Sequence, residues 1–204
     1  MKKEVCIILL ILTWQSLIAQ EGLQIGASVT TGLQVQTHRS KTTGIWSSQS
    51  GYGFSFGVPV KYWTSKTRAL NTGIDYEYVA YDNWANNTIV SSTRYHSFHI
   101  PITYNLNLVS SWYASFGTGL NYLFRNRTFS PANNVDISSI TNPFQPYLSL
   151  GINTFGGRGN GFFELGIQAR YHFLDLWKKS HSTFLVTTSK ILSLDLVMRF
   201  YLGI

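Results

Sequence analysis

Charge is scarce in this sequence of 204 residues: Asp, Glu, Lys and Arg make up 12% of it, whereas aromatic residues reach 15%. A surface that meets bulk water usually carries roughly a quarter to a third charged residues, so an ordinary soluble exterior is disfavoured. Disorder is disfavoured as well, because aromatic and β-branched residues are plentiful. Cysteine occurs once, as Cys6. It lies inside an N-terminal apolar run from Val5 to Trp14 that follows Lys2 and Lys3 and precedes Ala19, the pattern of a secretory signal peptide over residues 1–19. Once that segment is removed, no disulfide, thiolate nucleophile or thiolate metal site remains. No later stretch approaches the about 18 consecutive apolar residues of a spanning helix. An exported chain of this kind is either soluble or crosses a membrane as a closed β-barrel, the other structure that satisfies every backbone amide in lipid.

What the chain does contain is alternation. In SFHIPITYNLNL, residues 97–108, every second position is Phe98, Ile100, Ile102, Tyr104, Leu106 or Leu108, and the intervening ones are Ser97, His99, Pro101, Thr103, Asn105 and Asn107. Such a strand separates an oily environment from a polar one. The same pattern predicts strands over 23–36, 51–63, 69–81, 95–108, 112–125, 144–155, 161–174 and 190–203. Connections at 64–68, 109–111 and 156–160 are short, whereas 37–50, 82–94, 126–143 and 175–189 each exceed a dozen residues. Short turns at one end and long loops at the other characterise outer-membrane barrels, with the turns periplasmic.

The rival architecture is a secreted soluble barrel with its apolar face turned inward. The polar face decides between them: Gln24, Gly26, Ser28, Thr30, Gly32 and Gln34 on the first strand, and Gly51, Gly53, Ser55, Gly57, Pro59 and Lys61 on the second. Small uncharged residues suit a narrow lumen better than a wet exterior. The apolar face of the predicted strands carries no Asp, Glu, Lys or Arg, and His96 is its only titratable imidazole. Trp63 and Trp112 at inner strand ends, with Trp46, Trp84 and Trp177 near outer ones, fit interfacial aromatic belts. The expectation is an all-β, eight-stranded, antiparallel, up-and-down transmembrane barrel over residues 20–204, in the outer membrane of a Gram-negative bacterium.

FHIPITYNL in strand four, WYASFGTGLNYLF in strand five, ELGIQARYHFLDL in strand seven and the closing SLDLVMRFYL resemble the small outer-membrane barrels of Bacteroidetes-type bacteria, the porin-like or PorT-like family. The resemblance implies insertion from the periplasm by the barrel-assembly machinery. It implies no activity, and a few members are linked to protein secretion. The chain ends on Ile204, with Phe200 and Tyr201 just before it, where many barrels end on an aromatic.

Candidate chemistry lies on the polar face. Lys61, Asp75, Glu77, Glu164, Arg170, Asp195 and Arg199 all fall there, and a charge in a narrow lumen must be paired or cost several kcal/mol. A last loop centred near residue 182 pairs Glu164 with Arg199 and Arg170 with Asp195. A second loop centred near residue 88 sets Glu77 opposite His99, with Ser97 beside it. Ser, His and a carboxylate are the parts of an acyl-transfer site, which would make the protein a lipid-modifying acyl hydrolase or transferase. A narrow channel is a third reading, although an eight-stranded barrel is only just wide enough for its own side chains. Packed, paired charges favour a non-catalytic structural or interaction role in the cell envelope, with an envelope protein as partner. Neither a metal site nor a cofactor is expected: His96 and His99 face opposite sides of one strand, and GGRGNG lacks the Lys of a phosphate loop.

Beyond residue 19 there are fourteen Lys and Arg against eight acids, a net charge of about +6. Arg39, Lys41, Arg94, Arg125, Arg127, Lys178 and Lys179 fall in outer loops or at the strand ends beside them, where basic groups can meet lipopolysaccharide and other anionic outer-leaflet lipid. No nucleic-acid partner is expected for an exported barrel.

Overall fold

The described residues of the chain form nine strands, β1 (Leu23–Ser40), β2 (Trp46–Ser65), β3 (Arg68–Ala85), β4 (Thr88–Val109), β5 (Trp112–Phe129), β6 (Asn134–Asp136), β7 (Phe144–Arg158), β8 (Gly161–His172) and β9 (Val186–Gly203). The structure is a computed structural model that describes residues 22–40, 43–44, 46–65, 67–85, 88–109, 111–129, 134–158, 161–176 and 186–203. The predicted signal peptide, Lys41, Trp177, Lys178 and Lys179 lie outside the described residues, as does the side chain of Trp84.

Eight strands close into a ring. Each sequential neighbour pairs antiparallel, β4 pairs β5, β5 pairs β7, and β1 pairs β9 to complete the circle. The ninth, β6, is three residues long and pairs only with the outer end of β5. Closure gives each of the eight ring strands a neighbour on both sides, the condition for residence in lipid.

The faces sort as the alternation predicts. On β4, Phe98 and Ile102 are 41% and 51% exposed, whereas Ser97 and Asn105 are 1% and 0%. The same band of exposed Val, Leu, Ile and Phe continues around the ring through Val29, Phe56, Ile74, Leu150, Ile167 and Leu194. The inward face carries Gln24, Ser28, Lys61, Asp75, Glu77, Arg170 and Asp195, all buried.

The outer connections differ from the expected loops. Residues 37–39 and 46–50 continue the β1–β2 ladder, and 82–85 and 88–94 continue the β3–β4 ladder. These residues, expected in loops, belong instead to the strands. Above the lipid both faces of a hairpin are wet, so backbone pairing persists without the apolar alternation that reveals it in sequence. The segment after β5 also folds back: Ile137 N–H donates to the Asn126 carbonyl at 2.9 Å, and Asn142 N–H donates to the Leu176 carbonyl at 2.6 Å. Residues 137–142 and 173–176 thereby lie across the outer mouth.

Candidate functional site

The polar interior is built as three tiers. Nearest the turns and the termini, Lys61 on β2 lies 2.6 Å from Glu164 on β8, and Arg199 on β9 reaches the other oxygen of that carboxylate at 2.7 Å. The Lys61 ammonium also stands 3.5 Å from the centre of the Phe155 ring and 4.6 Å from that of Tyr201. Beneath it, Trp63, Tyr113 and Phe155 meet edge to face at 4.6–5.7 Å, and Trp63 Nε1 donates to Gln24 at 3.1 Å. Trp63 is therefore not part of a lipid-facing belt. It shares the inward parity of Lys61 and helps close the inner mouth, because at a strand end the same ring can serve either face. Trp112 and Trp46 do face outward, 49% and 54% exposed.

The middle tier holds three acids, Asp75, Glu77 and Asp195, and two basic groups, His99 and Arg170. Arg170 donates from Nε to Asp195 at 2.7 Å and from Nη2 to Glu77 at 2.5 Å, spanning the lumen from β8 to β9 and β3. Glu77 also accepts from Asn121 at 2.7 Å and Gln34 at 3.4 Å, so its charge is spread over several donors. Beside it, Asp75 accepts from Ser28 and contacts His99 Nδ1 at 3.2 Å, while His99 Nε2 bonds the Tyr147 hydroxyl. Glycines make the room: Gly32, Gly57, Gly119 and Gly166 stand directly across the ladder from Asp195, Asp75, Tyr147 and Asn153, and a Cβ at any of them would collide with that side chain.

Ser97, His99 and Glu77 do not assemble as a relay. The β3–β4 register sets Glu77 opposite Ser97 and Asp75 opposite His99, two residues from the expected pairing. Ala85 pairs with Thr88, so the hairpin closes about one residue earlier than expected, with an irregularity at Asn83/Trp84. Moving a turn by one residue shifts an antiparallel register by two, which preserves the face and changes the partner. Ser97 donates to Glu77 at 3.3 Å, and both His99 nitrogens are engaged elsewhere.

The outermost tier is apolar. Val79, Tyr81, Tyr95, Leu123 and Ile191 point inward from the strands and pack with Ile137 and Leu176 from the folded-over outer segments. Leu176 is fully buried, and Tyr81 donates to Gln34 at 3.0 Å. Between this plug and the middle tier lies a cavity of about 20 Å³, lined by Glu77, Ser97, Asn121 and His172. Such a volume holds about one water molecule. Sequence reasoning missed this plug because Ile137 and Leu176 sit in segments without alternation. It also missed Tyr147, whose role depends on the gap left by Gly119. Among the described residues no group of three His, Cys, Asp or Glu side chains is placed to hold a metal ion.

A closed antiparallel ring with an apolar exterior and a polar, cross-linked interior is a transmembrane β-barrel of the outer-membrane type. The chain belongs to the outer membrane protein beta-barrel domain family, whose model matches residues 18–176. That membership places it in the outer membrane. Solved structures with a similar fold include Neisserial surface protein A, at 15% identity and a TM-score of 0.49 over 90% of this chain and 100% of that one. Ail, the attachment invasion locus protein of Yersinia pestis, aligns at 10% identity and a TM-score of 0.38 over 89% and 99%. OprG from Pseudomonas aeruginosa aligns at 11% and 0.39 over 89% and 95%. At these identities the likeness is one of fold alone. No curated protein matches the sequence.

Proposed function

We propose that this protein is a sealed, non-catalytic outer-membrane barrel with a structural or interaction role in the envelope of a Gram-negative bacterium. The observation that carries this reading is the filled lumen. Aromatic rings close the inner mouth, paired charges cross the middle, an apolar plug closes the outer mouth, and the cavity between them has room for about one water. A barrel without a path through it acts by its outer surface and its hairpins. The resemblance to Bacteroidetes-type, PorT-like barrels supports export by the N-terminal signal, insertion by the assembly machinery and a place beside a larger envelope or secretion complex. No arrangement of Ser97, His99 and Glu77 favours the lipid-modifying reading.

The test is single-channel recording in planar bilayers with the folded protein. The reading expects no conductance steps above the bare bilayer, under conditions where an open porin gives them. Reproducible steps would favour the narrow channel and reject the sealed barrel.

A further inference from the structure

One outward face of the barrel breaks the lipid-facing pattern. The β4–β5 ladder shifts register at His96/Ser97, where Phe124 has no partner of its own. The extra residue leaves Phe124 and Arg125 both exposed, and beyond it the alternation is reversed. Asn126 is 1% exposed and points inward, whereas Arg127 points out. A bulge re-aims side chains in this way. Without it, Arg125 would face the lumen. With it, Arg127 lies directly across from Arg94 and Arg125 directly across from His96.

Like charges opposite one another on a ladder are destabilising, so an arrangement of this kind calls for an anion. The ion pairs among the described residues involve none of the three arginines. Arg94 donates to the Ser92 hydroxyl at 3.3 Å and lies 5.4 Å from the centre of the Phe129 ring. Two acids among the described residues lie near: Asp136 stands across from Arg127 on β6, where its Oδ1 accepts the Ser138 N–H at 2.8 Å, and Asp82 accepts from the Ser92 hydroxyl at 2.5 Å.

Directly below the cations is an aromatic shelf. Phe98 and Phe124 stack at 4.9 Å and 25°, and Tyr76 bonds His96 Nδ1 at 2.6 Å. Phe54, Phe56 and Tyr78 extend the shelf across β2 and β3. Beneath it runs the hydrocarbon-facing band of Ile100 and Ile102. The guanidinium groups therefore stand where the apolar band ends on the outer side. Guanidinium groups bind phosphate through paired charge-assisted hydrogen bonds, and exposed aromatics with Ile below them seat acyl chains.

We propose that Arg94, Arg125 and Arg127, with His96, form a binding site for the phosphate of an outer-leaflet glycolipid whose acyl chains lie on the Phe98–Phe124 shelf. The proposal rests on the outer-membrane location, and it stands whether or not the lumen conducts.

The experiment measures binding of diphosphoryl lipid A to the folded, full-length protein in detergent micelles, beside fully dephosphorylated lipid A and inorganic phosphate as competitor. The triple variant R94Q/R125Q/R127Q should bind diphosphoryl lipid A about tenfold or more weaker, the loss of at least one charge-assisted contact. Single Gln variants should each weaken it less, and every variant should keep its heat-modifiable gel band. R68Q, an exposed arginine at the opposite end of β3, should leave the affinity unchanged. Wild-type affinity in the triple variant, equal binding of the dephosphorylated lipid, or an equal loss in R68Q would each overturn the site. Competition by inorganic phosphate at concentrations near that of the lipid would overturn the lipid as occupant and leave a site for free phosphate.

Discussion

Glu164 holds two cations at once, Lys61 at 2.6 Å and Arg199 at 2.7 Å, with no exposure to water. Two buried cations share this one carboxylate as their ion-pair partner. Glu164→Gln removes the salt-bridge partner of both and should cost about 3–5 kcal/mol, the range for removing one partner of a buried pair. Urea unfolding in micelles, followed by the heat-modifiable band, measures this. Glu164→Gln combined with Lys61→Met should recover part of the loss, because one of the stranded charges is gone. Equal destabilisation in the single and double variants would mean that Lys61 is held by the rings of Phe155 and Tyr201 and not by the carboxylate.

At the scale of a strand, β4 shows how one period serves two solvents. Phe98, Ile100 and Ile102 face lipid, whereas Ser97, His99 and Thr103 face the packed lumen. A Lys at mid-depth on the lipid face costs about 2–4 kcal/mol, so the triple substitution of Phe98, Ile100 and Ile102 by Lys should abolish folding into micelles. The check is a gel comparison in which wild-type shifts on boiling and the variant does not. A compact variant band would mean that this face meets water or protein. The β5 strand marks the limit of the period rule: at Phe124 and Arg125 two consecutive residues face out, which only the bulge permits.

For the molecule as a whole, the described interior is packed by different physics at each level. Aromatic edges meet at the inner mouth, charges neutralise one another in the middle, and the outer plug is held by apolar burial. Leu176 belongs to a segment after the last residue of β8 and is fully buried against Tyr81, Tyr95 and Ile191. Leu176→Ala should destabilise the protein by about 2–5 kcal/mol, the usual range for such a cavity. Its proteolytic sensitivity should rise in the outer segments while the barrel band persists on gels. Loss of the barrel band itself would show that the plug is required for closure of the ring.

The eight strands of the ring, their face assignment and membrane residence were legible in the sequence, because lipid on one side and a narrow polar lumen on the other impose an alternation that no single residue can hide, whereas the short β6 carries no such pattern. The pairings of Glu164 with Arg199 and of Arg170 with Asp195 follow the same local pattern across one hairpin. Only the tertiary structure decided which partner each lumen residue meets across longer reach: Lys61 with Glu164, His99 with Asp75 and Tyr147, and Arg170 with Glu77. It also placed Trp63 inside, carried the strands above the lipid as paired hairpins, and turned Arg125 outward. The reason is physical. Periodicity specifies a face, but register depends on where a turn closes and where a ladder bulges, and a displacement of one residue at either is invisible in the alternation while it exchanges every partner along the strand.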